Sequence, residues 1–126
     1  MVVDTSALLA LFFAEPHGAW VADQLYAHRG ELAMSTVNLA ETLIRLKDRQ
    51  PARYDELEAL LLDSGIEFVP PDVEQARVAA DARLRLPLNL GDCFAYALSC
   101  SRDCPILTLD DDFRSTPRPV LMPPRR

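Results

Sequence analysis

The chain opens on an apolar run, Met1-Val2-Val3, that ends in an acid, Asp4. A short run of this kind reads as a buried strand. Thr5 and Ser6 are capping residues for a helix over 7–14. Pro16 restarts a helix that carries Trp20, Val21, Leu25 and Tyr26 at helical spacing, and Arg29-Gly30 closes it. Leu32-Ala33-Met34 is a second strand. Ser35 and Thr36 then cap a helix running to Lys47 or Arg49. Pro51 opens another helix, rich in Leu57, Leu60, Leu61 and Leu62, which Ser64-Gly65 ends. Ile66-Glu67-Phe68-Val69 reads as a third strand. Pro70-Pro71-Asp72 opens a helix that reaches Arg85, and Asn89-Leu90-Gly91-Asp92 begins one ending near Arg102. Pro105-Ile106-Leu107-Thr108 is a fourth strand. Val120-Leu121-Met122 is a candidate edge strand inside a Pro-rich stretch, 117–126, that need not hold regular structure. Short apolar strands alternating with helices predict an α/β fold, a parallel sheet covered by helices on both faces as a three-layer sandwich. With 126 residues and no repeat or linker, a single domain over 1–126 is expected.

Composition narrows the function classes. Hydrophobic residues make up 49% and charged residues 25%, the balance of an ordinary globular domain. No apolar run reaches the roughly 18 residues of a membrane span. The longest, 7–14, is too short and has no basic segment before it, so neither a span nor a signal peptide is expected. Cys93, Cys100 and Cys104 are odd in number and form no C-x-x-C pair. Cys93 and Cys100 stack on one helix face as small core residues, which disfavours a disulfide framework or a zinc site. Free thiols without a leader fit a reducing cytoplasm. The net charge of −6 argues against binding nucleic acid through a basic footprint, unless the acids hold cations that reverse the local sign. Of the 13 basic residues all but Lys47 are Arg, whose planar fork suits phosphate.

The candidate chemistry lies in the placement of the acids. Asp4 stands directly after the first strand and Asp110 two residues after the fourth, and open parallel sheets bind ligands beyond the carboxyl ends of their strands. Asp92 falls in the first turn of a helix. Each has a structural alternative: a helix cap for Asp4, a dipole contact for Asp92, a solvated turn for Asp110, Asp111 and Asp112. Glu41 interrupts an apolar stripe made by Val37 and Ile44 with Ala40 and Leu43 beside it, and a buried carboxylate needs a partner or a metal. An exposed Glu41–Arg45 pair is the alternative. Carboxylates brought together without compensating charge repel, and no Lys or His lies in these segments. Hard oxygen donors of this kind select Mg2+ or Mn2+, ions that activate water and stabilise phosphodiester displacement.

Four segments carry a resemblance. Val2-Val3-Asp4-Thr5-Ser6-Ala7-Leu8-Leu9, Ser35-Thr36-Val37-Asn38-Leu39-Ala40-Glu41, Leu90-Gly91-Asp92-Cys93-Phe94-Ala95-Tyr96-Ala97 and Ile106-Leu107-Thr108-Leu109-Asp110-Asp111-Asp112-Phe113 match, in order and spacing, the acid-bearing motifs of the PIN-domain ribonucleases. The chain resembles the VapC-like toxins of toxin–antitoxin pairs in particular. Cys93 is a departure, since the family usually has a small residue such as Ala there. The resemblance implies a five-stranded parallel sheet, a homodimer, and Mg2+- or Mn2+-dependent endonucleolytic cleavage of RNA. It implies Asp4, Glu41, Asp92 and Asp110 as catalytic acids, with Asp4, Asp92, Asp110 and Asp112 as metal ligands; Asp110 and Asp112 compete for the closing position. Thr5, Ser6, Asn38 and Thr108 would be polar support. A VapB-like antitoxin with a helical, Arg-bearing tail is the implied partner. Leu8, Leu11, Phe12 and Phe13 with Leu43, Leu46 and Leu57 are either its groove or ordinary core.

Two other readings compete. A catalytically silent module would use the same fold only to bind protein. An aspartyl-phosphate phosphatase would use Asp4 as nucleophile, but such enzymes want a second acid two residues on, where this chain has Ser6, and a Lys near a strand end.

Overall fold

The computed structural model describes residues 1–124; the last two residues of the Pro-rich stretch, Arg125 and Arg126, lie outside it. Five strands form one sheet: β1 (Val2–Val3), β2 (Ala33–Ser35), β3 (Glu67–Val69), β4 (Ile106–Leu107) and β5 (Val120–Leu121). Their order is β3-β2-β1-β4-β5 and every pairing is parallel. The helices are α1 (Thr5–Phe12), α2 (Gly18–Ala27), α3 (Thr36–Arg49), α4 (Tyr54–Leu62), α5 (Val73–Arg85) and α6 (Leu90–Arg102). Two 3-10 turns, Pro51–Arg53 and Asp111–Ser115, complete the described elements. The α/β sandwich read from the hydrophobic pattern is therefore the observed fold.

Side-chain alternation along the strands divides the core into two layers. Val3, Met34 and Leu107 face one cluster with Leu8, Val21, Leu46, Leu57 and Leu61. Val2, Ala33 and Ile106 face the other with Ala79, Ala82, Ala95, Leu98 and Phe113. Two residues of β1 thus anchor both halves, which is why strands of two or three residues suffice.

Several boundaries differ from expectation for local reasons. α1 begins at Thr5, not at 7, because Asp4 takes the extended cap position that Thr5 and Ser6 were expected to fill. α2 begins at Gly18, two residues after Pro16. Pro51 opens a 3-10 turn and α4 follows from Tyr54. The Val120-Leu121 pair forms the expected edge strand inside the Pro-rich stretch.

The strand order places a switch point at the centre. From β1 the chain moves outward through β2 and β3, then returns to the far side of β1 at β4. The crevice beyond the carboxyl ends of β1 and β4 is where such a sheet presents its ligand site.

Candidate active site

Asp4 leaves the end of β1 and is 2% exposed. It occupies the cap position of α1, yet its side chain makes no capping bond. Its Oδ2 instead accepts from Ser6 Oγ at 2.7 Å and from Thr108 Oγ1 at 2.9 Å. Those hydroxyls are themselves held: Ser6 Oγ accepts from the Leu109 N–H at 3.0 Å, and Thr108 Oγ1 from the Asp110 N–H at 3.0 Å. β1 and β4 are thereby tied together around one carboxylate oxygen. The other oxygen, Oδ1, is buried and has no partner among the described residues. Burial pushes the Asp4 carboxyl above its usual range, against the lowering effect of the two hydroxyls.

Asp92 lies in the first turn of α6, whose cap is Asn89: its Oδ1 accepts from the Asp92 N–H at 2.9 Å. The Asp92 carboxyl is pushed up to about 7, chiefly by burial and then by the charges of Asp4, Asp110 and Glu41. Hydrogen bonds link the segments that carry the four acids: Thr108 Oγ1 bonds both Asp4 and the Asp110 N–H, and Asn38 bonds both Glu41 and the carbonyl of Gly91, the residue before Asp92.

Glu41 is half-buried on α3. The apolar stripe expected around it is a correction: Ile44 is 64% exposed and Ala40 is exposed, and α3 buries Asn38, Thr42 and Leu46 instead. Polar residues face inward here because α3 packs onto α6 through hydrogen bonds. Asn38 Nδ2 donates to Glu41 Oε1 at 2.9 Å and to the Gly91 carbonyl at 3.0 Å. Thr5 Oγ1 donates to the same Glu41 oxygen at 3.0 Å. The Glu41–Arg45 pair does not form, so Glu41 is aimed by α1, α3 and α6 together. Gly91 lets the helices approach: a methyl group there would run into the Glu41 carboxylate.

Asp110 is half-buried and caps the turn that follows it, its Oδ1 accepting from the Asp112 N–H at 2.9 Å. Asp112 is exposed, whereas the Asp110 charge is one of the main causes of the Asp92 shift. Of the two acids competing for the closing position, Asp110 is the one drawn in beside Asp92. Leu8, Leu46 and Leu57 are core, and Leu11, Phe12, Phe13 and Leu43 pack half-buried against it, which is the ordinary reading of those residues. Lys47 is exposed and lies over the Tyr54 ring, away from any strand end.

Missed at the sequence level were Asn89 as the cap that fixes Asp92, and Gly91 as the point where α3 meets α6. The signal for the first was an Asn three residues ahead of an acid at a helix start.

The arrangement fits a divalent cation. Asp4 Oδ1 is a buried, unpartnered acceptor, and two raised carboxyls stand beside two further acids without a basic neighbour. Among the described residues no three His, Cys, Asp or Glu side chains stand close enough to form a group that could hold an ion, so the fit rests on the unpartnered Asp4 oxygen and the chemistry of the donor set.

Residues 1–119 match the family model of the PIN domain. The ribonuclease VapC42 of Mycobacterium tuberculosis is 35% identical over 92% of this chain and 95% of its own length. A ribonuclease VapC of Mycolicibacterium smegmatis is 36% identical over 92% of this chain and 95% of its own. Among solved structures, a toxin–antitoxin complex from Klebsiella pneumoniae superposes with a TM-score of 0.79 at 19% identity, covering 96% of this chain and 95% of that one.

Proposed function

Because the chain belongs to the PIN-domain family and is similar over most of its length to VapC ribonucleases, we propose that it is a divalent-cation-dependent endoribonuclease, the toxin of a toxin–antitoxin pair. The observation that carries the chemistry is the buried, half-satisfied carboxylate of Asp4 with Asp92, Asp110 and Glu41 beside it. Asp4, Asp92 and Asp110 would hold the cation, with Asp112 contributing from the exposed rim, and oxygen donors favour Mg2+ or Mn2+. When bound, the ion supplies charge to the phosphodiester and acidifies water.

The chain's own groups do the rest. Ser6 and Thr108 hold Asp4 Oδ2 and so leave Oδ1 as its donor atom. Thr5 and Asn38 both occupy Glu41 Oε1. Oε2, without a partner among the described residues, is the atom that can take a proton from attacking water. Hydrolysis then adds that water across the P–O bond, releasing a phosphate-ended and a hydroxyl-ended fragment.

The test is incubation of purified protein with mixed RNAs in Mg2+, Mn2+ or EDTA. Metal-dependent cleavage that vanishes in Asp4→Asn supports the reading; release of phosphate from monoesters with RNA left whole overturns it. Expression of the wild type is expected to arrest growth and that of Asp92→Asn to permit it. A VapB-like antitoxin and a homodimer belong to the same proposal. What supports the antitoxin is the likeness of fold to a chain of a solved toxin–antitoxin complex; co-expression and sedimentation test both.

A further inference from the structure

Beside the carboxylates lies a cleft of about 520 Å3 that the chemistry above leaves unused, bordered by His17, Leu109, Asp111, Arg114, Met122 and Pro124. Its volume is that of a small-molecule site, roughly 300–1,000 Å3. None of the four acids lines it, but two of its residues adjoin them. Leu109 and Asp111 flank Asp110 in sequence, and the Leu109 N–H is bonded to the same Ser6 hydroxyl that holds Asp4.

The walls differ in chemistry. Arg114 spends one donor, Nε, on Asp111 Oδ1 at 3.0 Å. Its side chain is 39% exposed, and its remaining guanidinium donors have no partner among the described residues. His17, also lining the cleft, is exposed at the cap position of α2 and makes no capping bond with its side chain. Leu109, Met122 and Pro124 give the cleft an apolar surface. A cation and an apolar wall next to a phosphodiester-cleaving centre match one nucleotide, with phosphate at one end and base and sugar at the other. A polyanion approaching a chain of net charge −6 also needs a local cation beyond any held by the acids.

We infer that this cleft is the subsite for the nucleotide next to the scissile phosphate of single-stranded RNA, with Arg114 holding its phosphate and Leu109, Met122 and Pro124 its base and sugar. The inference rests on the ribonuclease reading. Arg114 is a binding residue here, outside the acid cluster.

The test measures anisotropy of a fluorescein-labelled, mixed-sequence 12-nucleotide RNA against full-length Asp92→Asn protein, which binds without cutting, over a range of NaCl. Adding Arg114→Gln is expected to weaken binding about fivefold and to flatten the plot of log K against log salt by about 0.7, the loss of one phosphate contact on a single strand. Arg114→Lys restores the slope with part of the affinity, since it keeps the charge and loses the fork. Arg77→Gln, an exposed charge of α5 outside the cleft, leaves both unchanged. Binding that is unaltered by Arg114→Gln, or reduced equally by Arg77→Gln, overturns the subsite. Absence of any RNA binding overturns it as well. Wild-type protein assayed for cleavage in Mn2+ separates the two ideas: RNA cut by a protein whose binding does not depend on Arg114 overturns the subsite alone, whereas RNA bound through Arg114 but never cut overturns the nuclease reading and with it the cleft's place beside a scissile phosphate.

Discussion

At the scale of single residues, the site depends on small and polar side chains that hold the acids. Gly91 is the sharpest case. In the middle of a helix alanine is worth about 0.5–1 kcal/mol more than glycine, an upper bound for Gly91 in the first turn of α6. The added methyl, however, would displace the Glu41 carboxylate from its place against the helix. Gly91→Ala is therefore expected to keep or raise the melting temperature while cutting RNA cleavage at least tenfold; equal activity would show that Glu41 need not sit there. The closing acid gives a second contrast. Asp110 acts on Asp92 and Asp112 stands exposed, so Asp110→Asn should cost far more of kcat than Asp112→Asn. The reverse order, read from single-turnover rates, would move the ligand to Asp112. The position of Asp4 at a strand end was legible in the sequence, although a helix cap explained that position as well. Its bonding was not, since Ser6 and Thr108 are more than a hundred residues apart and only the β1–β4 pairing joins them.

At the scale of elements, strand-and-helix order was readable throughout, because each apolar run is short and each helix carries a start or stop signal. The face of α3 was misread for a physical reason. Helical periodicity marks apolar residues as inward, yet α3 meets α6 through Asn38 and Gly91, and its Ile44 points out. A polar contact between helices leaves no hydrophobic trace in the pattern. Close backbone approach is equally silent, and Gly18 tests it. A Cβ at that position would stand 2.7 Å from the Ala10 carbonyl oxygen, so α2 lies directly on the backbone of α1. Unlike Gly91, this neighbour is main chain and cannot swing away. Gly18→Ala is expected to destabilise the protein by about 1–3 kcal/mol, seen as a lower urea midpoint with an unchanged slope. A neutral result would mean that the two helices can separate without loss, and that His17 at the start of α2 is not held in place by this contact.

At the scale of the whole molecule, the acid cluster sets how stability responds to pH and to metal. Asp92 titrates near 7 in the fold against 3.8 as a free side chain, and Asp4 is raised in the same direction. A carboxyl raised by folding binds its proton more tightly in the native state than in the unfolded one. Its contribution is complete below about pH 4 and is lost as pH climbs through 7. In EDTA the wild type should therefore melt at a lower temperature at pH 8 than at pH 5.5, and Asp92→Asn should flatten that dependence, because its amide has no proton to lose. Metal reverses the trend. A cation binds the ionised carboxylates and competes with protons, so Mn2+ should raise the melting temperature more at pH 8 than at pH 5.5. At a hundredfold excess over its dissociation constant a ligand adds about 2.7 kcal/mol. The Mn2+ increment should vanish in Asp4→Asn, whose buried amide offers no negative charge. A wild-type protein equally stable at both pH values in EDTA, or an Asp4→Asn variant that still gains from Mn2+, would mean that the acids do not share one cation and that the negative charge of the chain is dispersed over its surface.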